Sequence, residues 1–274
     1  MIRKFIQNIL FYLKKNKYTF APVFIIGCGR SGTTILGETL SKHSKIKYLN
    51  ERRDLWHKHY PEFNIWESKT NNPKLIAKEC DVSAKRNLNL RKLFFKLQVL
   101  NSSKILLEKL PINSFRLRFL EKSFPEAKYI YLTRNGLEVS KSIEKKIEKK
   151  KWLTGSKFEL LVQHYKEEFS DKSNLSKAML EWKLSISESD NFFRKLDANK
   201  FIHLSYEDLV EHTESSLIKI FKFLQLETNN NFLEAISKNI NRRNKKISNT
   251  NDKNLSCIGG ELLKQSINNT YSPF

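Results

Sequence analysis

The sequence predicts an α/β fold: a single three-layer domain with a central parallel sheet, a P-loop-like phosphate loop and helices on both faces. Two observations carry this. Val23 to Ile26 is a short apolar, β-branched run of the kind buried on both sides of a parallel sheet, and it feeds a glycine-marked loop, Gly27-Cys28-Gly29-Arg30-Ser31-Gly32, that opens a helix at Thr33-Thr34. Further on, short strand-like runs at 47–51, 104–109, 128–133 and 200–204 alternate with segments of helical period. At 274 residues, with no internal repeat, the chain can bury one sizeable core.

The strand, glycine loop and helix start form an anion cradle. Glycines let the backbone approach closely, and the unpaired N–H groups and positive dipole end of the helix favour negative charge. The spacing from Gly27 to Gly32 fits G-x-x-x-x-G, but Thr33 stands where an ATPase or GTPase carries its lysine. The cation is Arg30, inside the loop. The strand at 128–133 ends in Thr133-Arg134, where a Mg²⁺-dependent hydrolase wants a carboxylate. A cation at that strand end suits a second phosphate better than a metal.

GRSGTT at residues 29–34, followed by Arg134 and, eight residues later, Ser142, resembles the sulfotransferases that use 3′-phosphoadenosine 5′-phosphosulfate. The resemblance covers roughly residues 23–226. It implies that Gly29, Arg30, Ser31, Gly32, Thr33 and Thr34 hold the 5′-phosphosulfate of the donor and that Arg134 and Ser142 hold its 3′-phosphate. Arginine's planar fork and a serine hydroxyl suit a fixed monophosphate site. Ser140 is also near, but Ser142 alone has the family spacing. Relatives read Arg-Asp/Asn-Pro at this turn, and Gly136 in place of proline is expected to loosen it.

The first 17 residues form a basic amphipathic segment, with Ile2, Phe5, Ile6, Ile9, Leu10 and Leu13 set against Arg3, Lys4, Lys14, Lys15 and Lys17. The segment is too short to span a bilayer and lacks a cleavage site. It either lies on an anionic membrane or packs against the domain's own sheet. The expected organisation is therefore an N-terminal helix over residues 1–20 and a sulfotransferase domain over 21–274, with 228–274 forming the donor lid and C-terminal region.

After the loop, the strand at 47–51 ends in Glu51, 21 residues beyond Arg30. A carboxylate at a strand's carboxyl end beside the donor loop is placed to take the proton of an acceptor hydroxyl. Tyrosylprotein sulfotransferases carry a catalytic glutamate at a similar interval, so the resemblance implies the same role. Its alternative is a surface pairing with Arg52 or Arg53. His43, His57 and His59 compete as bases, with His43 read as structural. Trp56, Tyr60, Phe63 and Trp66 supply either part of the acceptor pocket or plain core. A helix over 86–100 buries Leu90, Leu93, Phe94, Leu97 and Leu100.

Lys109 precedes Pro111 as in the family's Lys-x-Pro element, which implies a lysine that neutralises charge on the transferred sulfuryl group. Asn113 caps a helix over 114–122 or turns toward the site, and capping is the expectation. Phe124-Pro125-Glu126-Ala127 resembles the family's turn into the next strand. Helices are expected over 152–169 and 175–196. Tyr206, in Tyr-Glu-Asp-Leu, is implied to lie near the donor's adenine, with Glu207 and Asp208 capping the next helix. Near the end, Ser256 is carried as a further donor ligand, although Ser256-Cys257-Ile258-Gly259-Gly260 lacks the basic residue and tryptophan of relatives.

The formal net charge of +21 favours anionic partners, or else marks a solvated lysine-rich surface. Nucleic acid is not expected, because the Glu- and Lys-rich run at 144–151 has no base-reading aromatics beside it. Cys28, Cys80 and Cys257 show neither paired nor metal-ligand spacing, which points to a cytoplasmic setting, with peripheral membrane contact through residues 1–17. The expected activity is sulfuryl transfer from the 3′-phosphoadenosine donor to a hydroxyl of a saccharide, lipid, peptide or small metabolite, without a metal. The alternatives are a small-molecule kinase using ATP and Mg²⁺, and a non-catalytic basic protein that binds polyanions or membranes.

Overall fold

In the computed structural model, which describes residues 2–67, 69–149, 157–165, 173–241 and 253–267, five strands pair in parallel in the order β2-β3-β1-β4-β5. The elements run α1 (Ile2–Lys14), β1 (Pro22–Ile26), α2 (Thr33–Leu40), β2 (Ile46–Asn50), α3 (Arg53–His57), α4 (Ala84–Leu100), β3 (Ile105–Lys109), α5 (Leu117–Ser123), β4 (Lys128–Thr133) and α6 (Gly136–Glu148). They continue as α7 (Lys157–Tyr165), α8 (Asn174–Phe193), β5 (Phe201–Ser205), α9 (Tyr206–Glu211), α10 (Thr213–Phe223), α11 (Asn230–Asn241) and α12 (Lys253–Ile267).

The strands are apolar on both sides because both faces of the sheet are covered. Phe24, Ile26, Leu106, Tyr129 and Tyr131 pack toward α4, α5 and α8. Val23, Ile25, Leu107, Ile130 and Leu132 pack toward α2, α10 and α11. A third cluster, with Leu137, Val139, Ile143, Met179, Trp182 and Leu263, joins α6, α8 and α12 around Cys28 of the glycine loop. This is the three-layer α/β arrangement the sequence predicts.

Several local expectations change. The stretch after β3 is a 3-10 turn over Pro111–Phe115 followed by α5, so Asn113 caps no helix. Its amide donates instead to the buried Glu108 Oε2 at 2.9 Å. Trp56, Tyr60 and Phe63 are core, at 1%, 0% and 0% exposure, which leaves only Trp66 of the four aromatics near the surface. Helix α1 packs on α4, with the Phe11 and Phe95 rings 5.8 Å apart, rather than on the sheet. Residues 230–241, expected in the donor lid, are a helix whose Leu233, Ile236 and Ile240 lie in the α2–α10 core. The basic cluster Arg242, Arg243, Lys245 and Lys246 lies outside the described residues.

Candidate active site

The loop between β1 and α2 lies at the carboxyl end of the sheet, where open parallel sheets hold ligands. Two of its residues take positive φ, Arg30 at 73° and Gly32 at 94°. A Cβ on Gly32 would fall 2.4 Å from Cδ2 of Tyr206, so only glycine lets the loop lie against that ring. Gly32 also occupies the N-cap position of α2, which has no side-chain cap. The helix therefore begins with donors that its own turns do not satisfy. Beside them Ser31 is fully buried and its Oγ has no hydrogen-bond partner. Burial first, and then the Glu181 carboxylate, pushes the Cys28 thiol well above its usual value, so Cys28 is an inert loop residue.

Strand pairing brings the second group together. β3 lies between β2 and β1, with Lys109 in register with Asn50 on one side and Ile25 on the other. Lys109 is 1% exposed, and its ammonium donates to Thr34 Oγ1 at 2.8 Å and to Glu51 Oε1 at 2.6 Å. One buried cation thus ties the start of α2 to the carboxylate. Glu51 follows β2 at φ 49°, its N–H donating to the Lys109 carbonyl at 2.9 Å. Its second oxygen lies 3.4 Å from Arg53 Nη2, and the side chain is 38% exposed. Glu51 thus pairs with Arg53 and also reaches the lysine beside the loop.

On the opposite side of β3, Glu108 accepts from Trp56 Nε1 at 3.1 Å and from Asn113. Burial pushes its carboxyl up to about 8. This bond anchors α3, which begins two residues after Glu51.

The third group comes from the end of β4 and the start of α6. Arg134 Nη1 donates to the Arg30 carbonyl at 3.2 Å, and Arg30 Nε donates to Ser142 Oγ at 3.1 Å. The Arg134 guanidinium lies over the Tyr206 ring at 4.2 Å. Its Nε and Nη2 donate to Glu138 Oε2 at 3.1 and 2.5 Å. Arg30, Arg134, Ser142 and Tyr206 thus converge on one rim of the loop, and Thr34, Lys109 and Glu51 on another. Ser140 turns away, its hydroxyl donating to the Gly136 carbonyl at 2.7 Å.

The turn after Arg134 corrects an expectation. A Cβ on Gly136 would come within 2.8 Å of the Trp182 ring, and the Gly136 N–H donates to Ser266 Oγ at 3.1 Å, a bond proline cannot make. The turn is tied down rather than loosened. Asn135 caps α6, accepting from the N–H groups of Leu137 and Glu138. Trp182 Nε1 donates to the Arg134 carbonyl at 3.2 Å. Ser205, not Glu207 or Asp208, is the cap of α9: its hydroxyl accepts from the Asp208 N–H, and Glu207, in the first turn, accepts through Oε1 from the Asn135 N–H at 3.0 Å.

Sequence reasoning missed Glu138, Trp182 and Ser266 and gave Glu207 only a capping role, whereas all four contact Arg134 or its turn. Only Glu138, four residues along a helix from Arg134, left a readable signal. Of the histidines, His43 is structural, bonded to the Glu227 carbonyl at 3.1 Å with its ring tilted against Phe221 at 5.5 Å. The His57 ring lies 5.9 Å from Trp66, and burial lowers its basicity. Ser256 falls within α12, but its side chain lies outside what the structure describes. Among the described residues no group of His, Cys, Asp or Glu is arranged to hold a metal ion.

Fold and site together define a class: a parallel α/β domain with a glycine loop at the carboxyl end of its sheet and an uncapped helix start, an arginine in the loop and a buried lysine at the end of the neighbouring strand. The sulfotransferase family model matches residues 22–230, more than half of the chain, and the chain belongs to that family. Its fold is similar to that of the sulfotransferase domain from the curacin biosynthetic pathway, at 18% identity and a TM-score of 0.56, covering 89% of this chain and 98% of that one. It is also similar to the sulfotransferase STF9 from Mycobacterium avium (16% identity, TM-score 0.57, 96% of this chain and 81% of that one). A third is the sulfotransferase domain of the Synechococcus PCC 7002 olefin synthase (17%, 0.52, 89% and 95%). No curated protein sequence matches the chain.

Proposed function

We propose that this protein transfers a sulfuryl group from 3′-phosphoadenosine 5′-phosphosulfate to a hydroxyl of a saccharide, lipid, peptide or small-metabolite acceptor. The observation that carries the proposal is the convergence of Arg30, Arg134 and Ser142 on one side of the glycine loop, with Lys109 and Glu51 on the other. The residues fit a doubly phosphorylated donor. The uncapped helix start and the orphaned Ser31 hydroxyl suit a phosphate in the loop. The guanidinium and hydroxyl groups beside it suit a second phosphate.

When bound, the donor would supply the activated sulfuryl group. Glu51 takes the acceptor proton as the acceptor oxygen bonds to sulfur and the sulfur's bond to the 5′-phosphate oxygen breaks. Lys109 and Arg30 meet the negative charge that gathers on the departing phosphate and the group in transit. Thr33, Thr34 and the loop amides hold the phosphate still, so the reacting atoms start close to alignment.

The kinase alternative needs a lysine after Gly32 and a carboxylate at the end of β4, and the chain has Thr33 and Arg134 there. The experiment is nucleotide turnover in the presence of a metal chelator. The expected result is release of adenosine 3′,5′-bisphosphate from the phosphosulfate donor, with phenol and sugar alcohols as trial acceptors, and no consumption of ATP when Mg²⁺ is restored. Hydrolysis of ATP, or phosphoryl transfer from it, would overturn the proposal in favour of the kinase.

A further inference from the structure

Helix α1 presents its apolar stripe to solvent. At 100° per residue, Ile6, Ile9, Leu10 and Leu13 fall on one side, while Phe11, which packs on Phe95 of α4, falls on the other. Ile6, Ile9, Leu10 and Leu13 are 49%, 44%, 40% and 70% exposed, and the neighbouring Tyr12 is 65% exposed. These account for most of the large exposed hydrophobics among the described residues; only Leu88 and Ile218 lie elsewhere. Ordinary amphipathic helices turn that stripe into the core, so an outward stripe marks a surface awaiting a partner.

The charge around the stripe identifies the partner. Lys14, Lys15 and Lys17 end the segment, with the Lys14 ammonium donating to Ser102 Oγ at 3.5 Å and Lys15 and Lys17 following the helix, and the helix has no acidic residue. Lys15 lies over the Tyr12 ring at 4.8 Å, at the edge of the exposed aromatic. The chain as a whole carries +21. An apolar strip on a helix without carboxylates, followed at its carboxyl end by the cations of Lys15 and Lys17, complements a surface that is apolar inside and anionic at its rim. Among the described residues no helix is long and apolar enough to cross a bilayer, and 13 residues of helix reach only about 20 Å against a hydrocarbon core of about 30 Å. The helix can lie on such a surface but cannot span it.

We propose that α1 docks the protein on an anionic lipid bilayer, with Ile6, Ile9, Leu10 and Leu13 entering the headgroup–acyl boundary and Lys15 and Lys17, just past the helix end, contacting acidic headgroups. This is independent of the sulfuryl-transfer reading.

The test is co-sedimentation of the full chain with vesicles of phosphatidylcholine containing about one third phosphatidylserine, and with pure phosphatidylcholine. Binding to the acidic vesicles should exceed binding to neutral ones by at least about tenfold and weaken with added salt. The double substitution Leu10→Ser and Leu13→Ser should reduce it by at least about tenfold, since two inserted side chains are lost. The thermal midpoint and nucleotide affinity should stay unchanged, because these positions are exposed. Equal binding by wild type and variant would overturn the proposal in favour of charge attraction alone. So would absence of vesicle binding with a wild-type dimer, seen by light scattering, that the variant loses, because the stripe then meets a second copy. A marked fall in the variant's thermal midpoint would overturn it too, showing the stripe covered by this chain's own residues.

Discussion

Lys109→Met is expected to cut sulfuryl transfer by about 10²–10³-fold at saturating donor while leaving the fold and nucleotide affinity within a few-fold of wild type. Lys109 is the buried cation that touches both the start of α2, through Thr34, and the carboxylate of Glu51. A charge held in a site shielded from water acts far more strongly on developing negative charge than one in solvent. Methionine keeps the length and the apolar stem but removes the ammonium. Glu51 would lose its buried partner, yet at 38% exposure it remains hydrated and keeps Arg53 nearby, so folding survives. Steady-state kinetics with saturating donor is the measurement. A rate within about tenfold of wild type would remove Lys109 from the chemical step.

Glu51→Gln is expected to produce a similar loss, about 10²–10⁴-fold in kcat, through a different cause. The amide oxygen can still accept from Lys109, so the local geometry holds, but it cannot take a proton from the acceptor. Donor affinity should hold, since the change removes no contact to the phosphates and deletes a negative charge beside them. A wild-type kcat in this variant would return Glu51 to the role of a surface partner for Arg53. The two substitutions are close neighbours on one hydrogen bond, so their effects combined should fall well short of additive.

The phosphate loop was legible because its chemistry is local. A β-branched run, glycines at fixed offsets and an uncapped helix start all lie within 18 residues, and each restricts the backbone in a way sequence displays. Lys109 and Glu51 were legible as strand-end residues, but their contact was not, because it depends on β3 pairing with both β1 and β2. The supporting groups were opaque for the same reason in stronger form. Trp182, Glu207 and Ser266 come from α8, α9 and α12 and meet the Arg134 turn only once those helices pack. Asn113 carried a misleading local signal. It has the composition of a cap, yet a buried carboxylate five residues upstream claims its amide. The orientation of α1 was likewise unreadable, since periodicity fixes which residues share a face but not which way that face turns.

The central claim is that one pocket holds two phosphates of a single nucleotide, with Arg134 serving the 3′-phosphate. Calorimetric titration of adenosine 3′,5′-bisphosphate and adenosine 5′-monophosphate into wild type and Arg134→Ala tests it most directly. The account predicts that wild type prefers the bisphosphate by at least about tenfold, or about 1.4 kcal/mol, and that Arg134→Ala loses most of that preference, with its monophosphate affinity falling by less than its bisphosphate affinity. An undiminished preference in the variant, or none in the wild type, would contradict it.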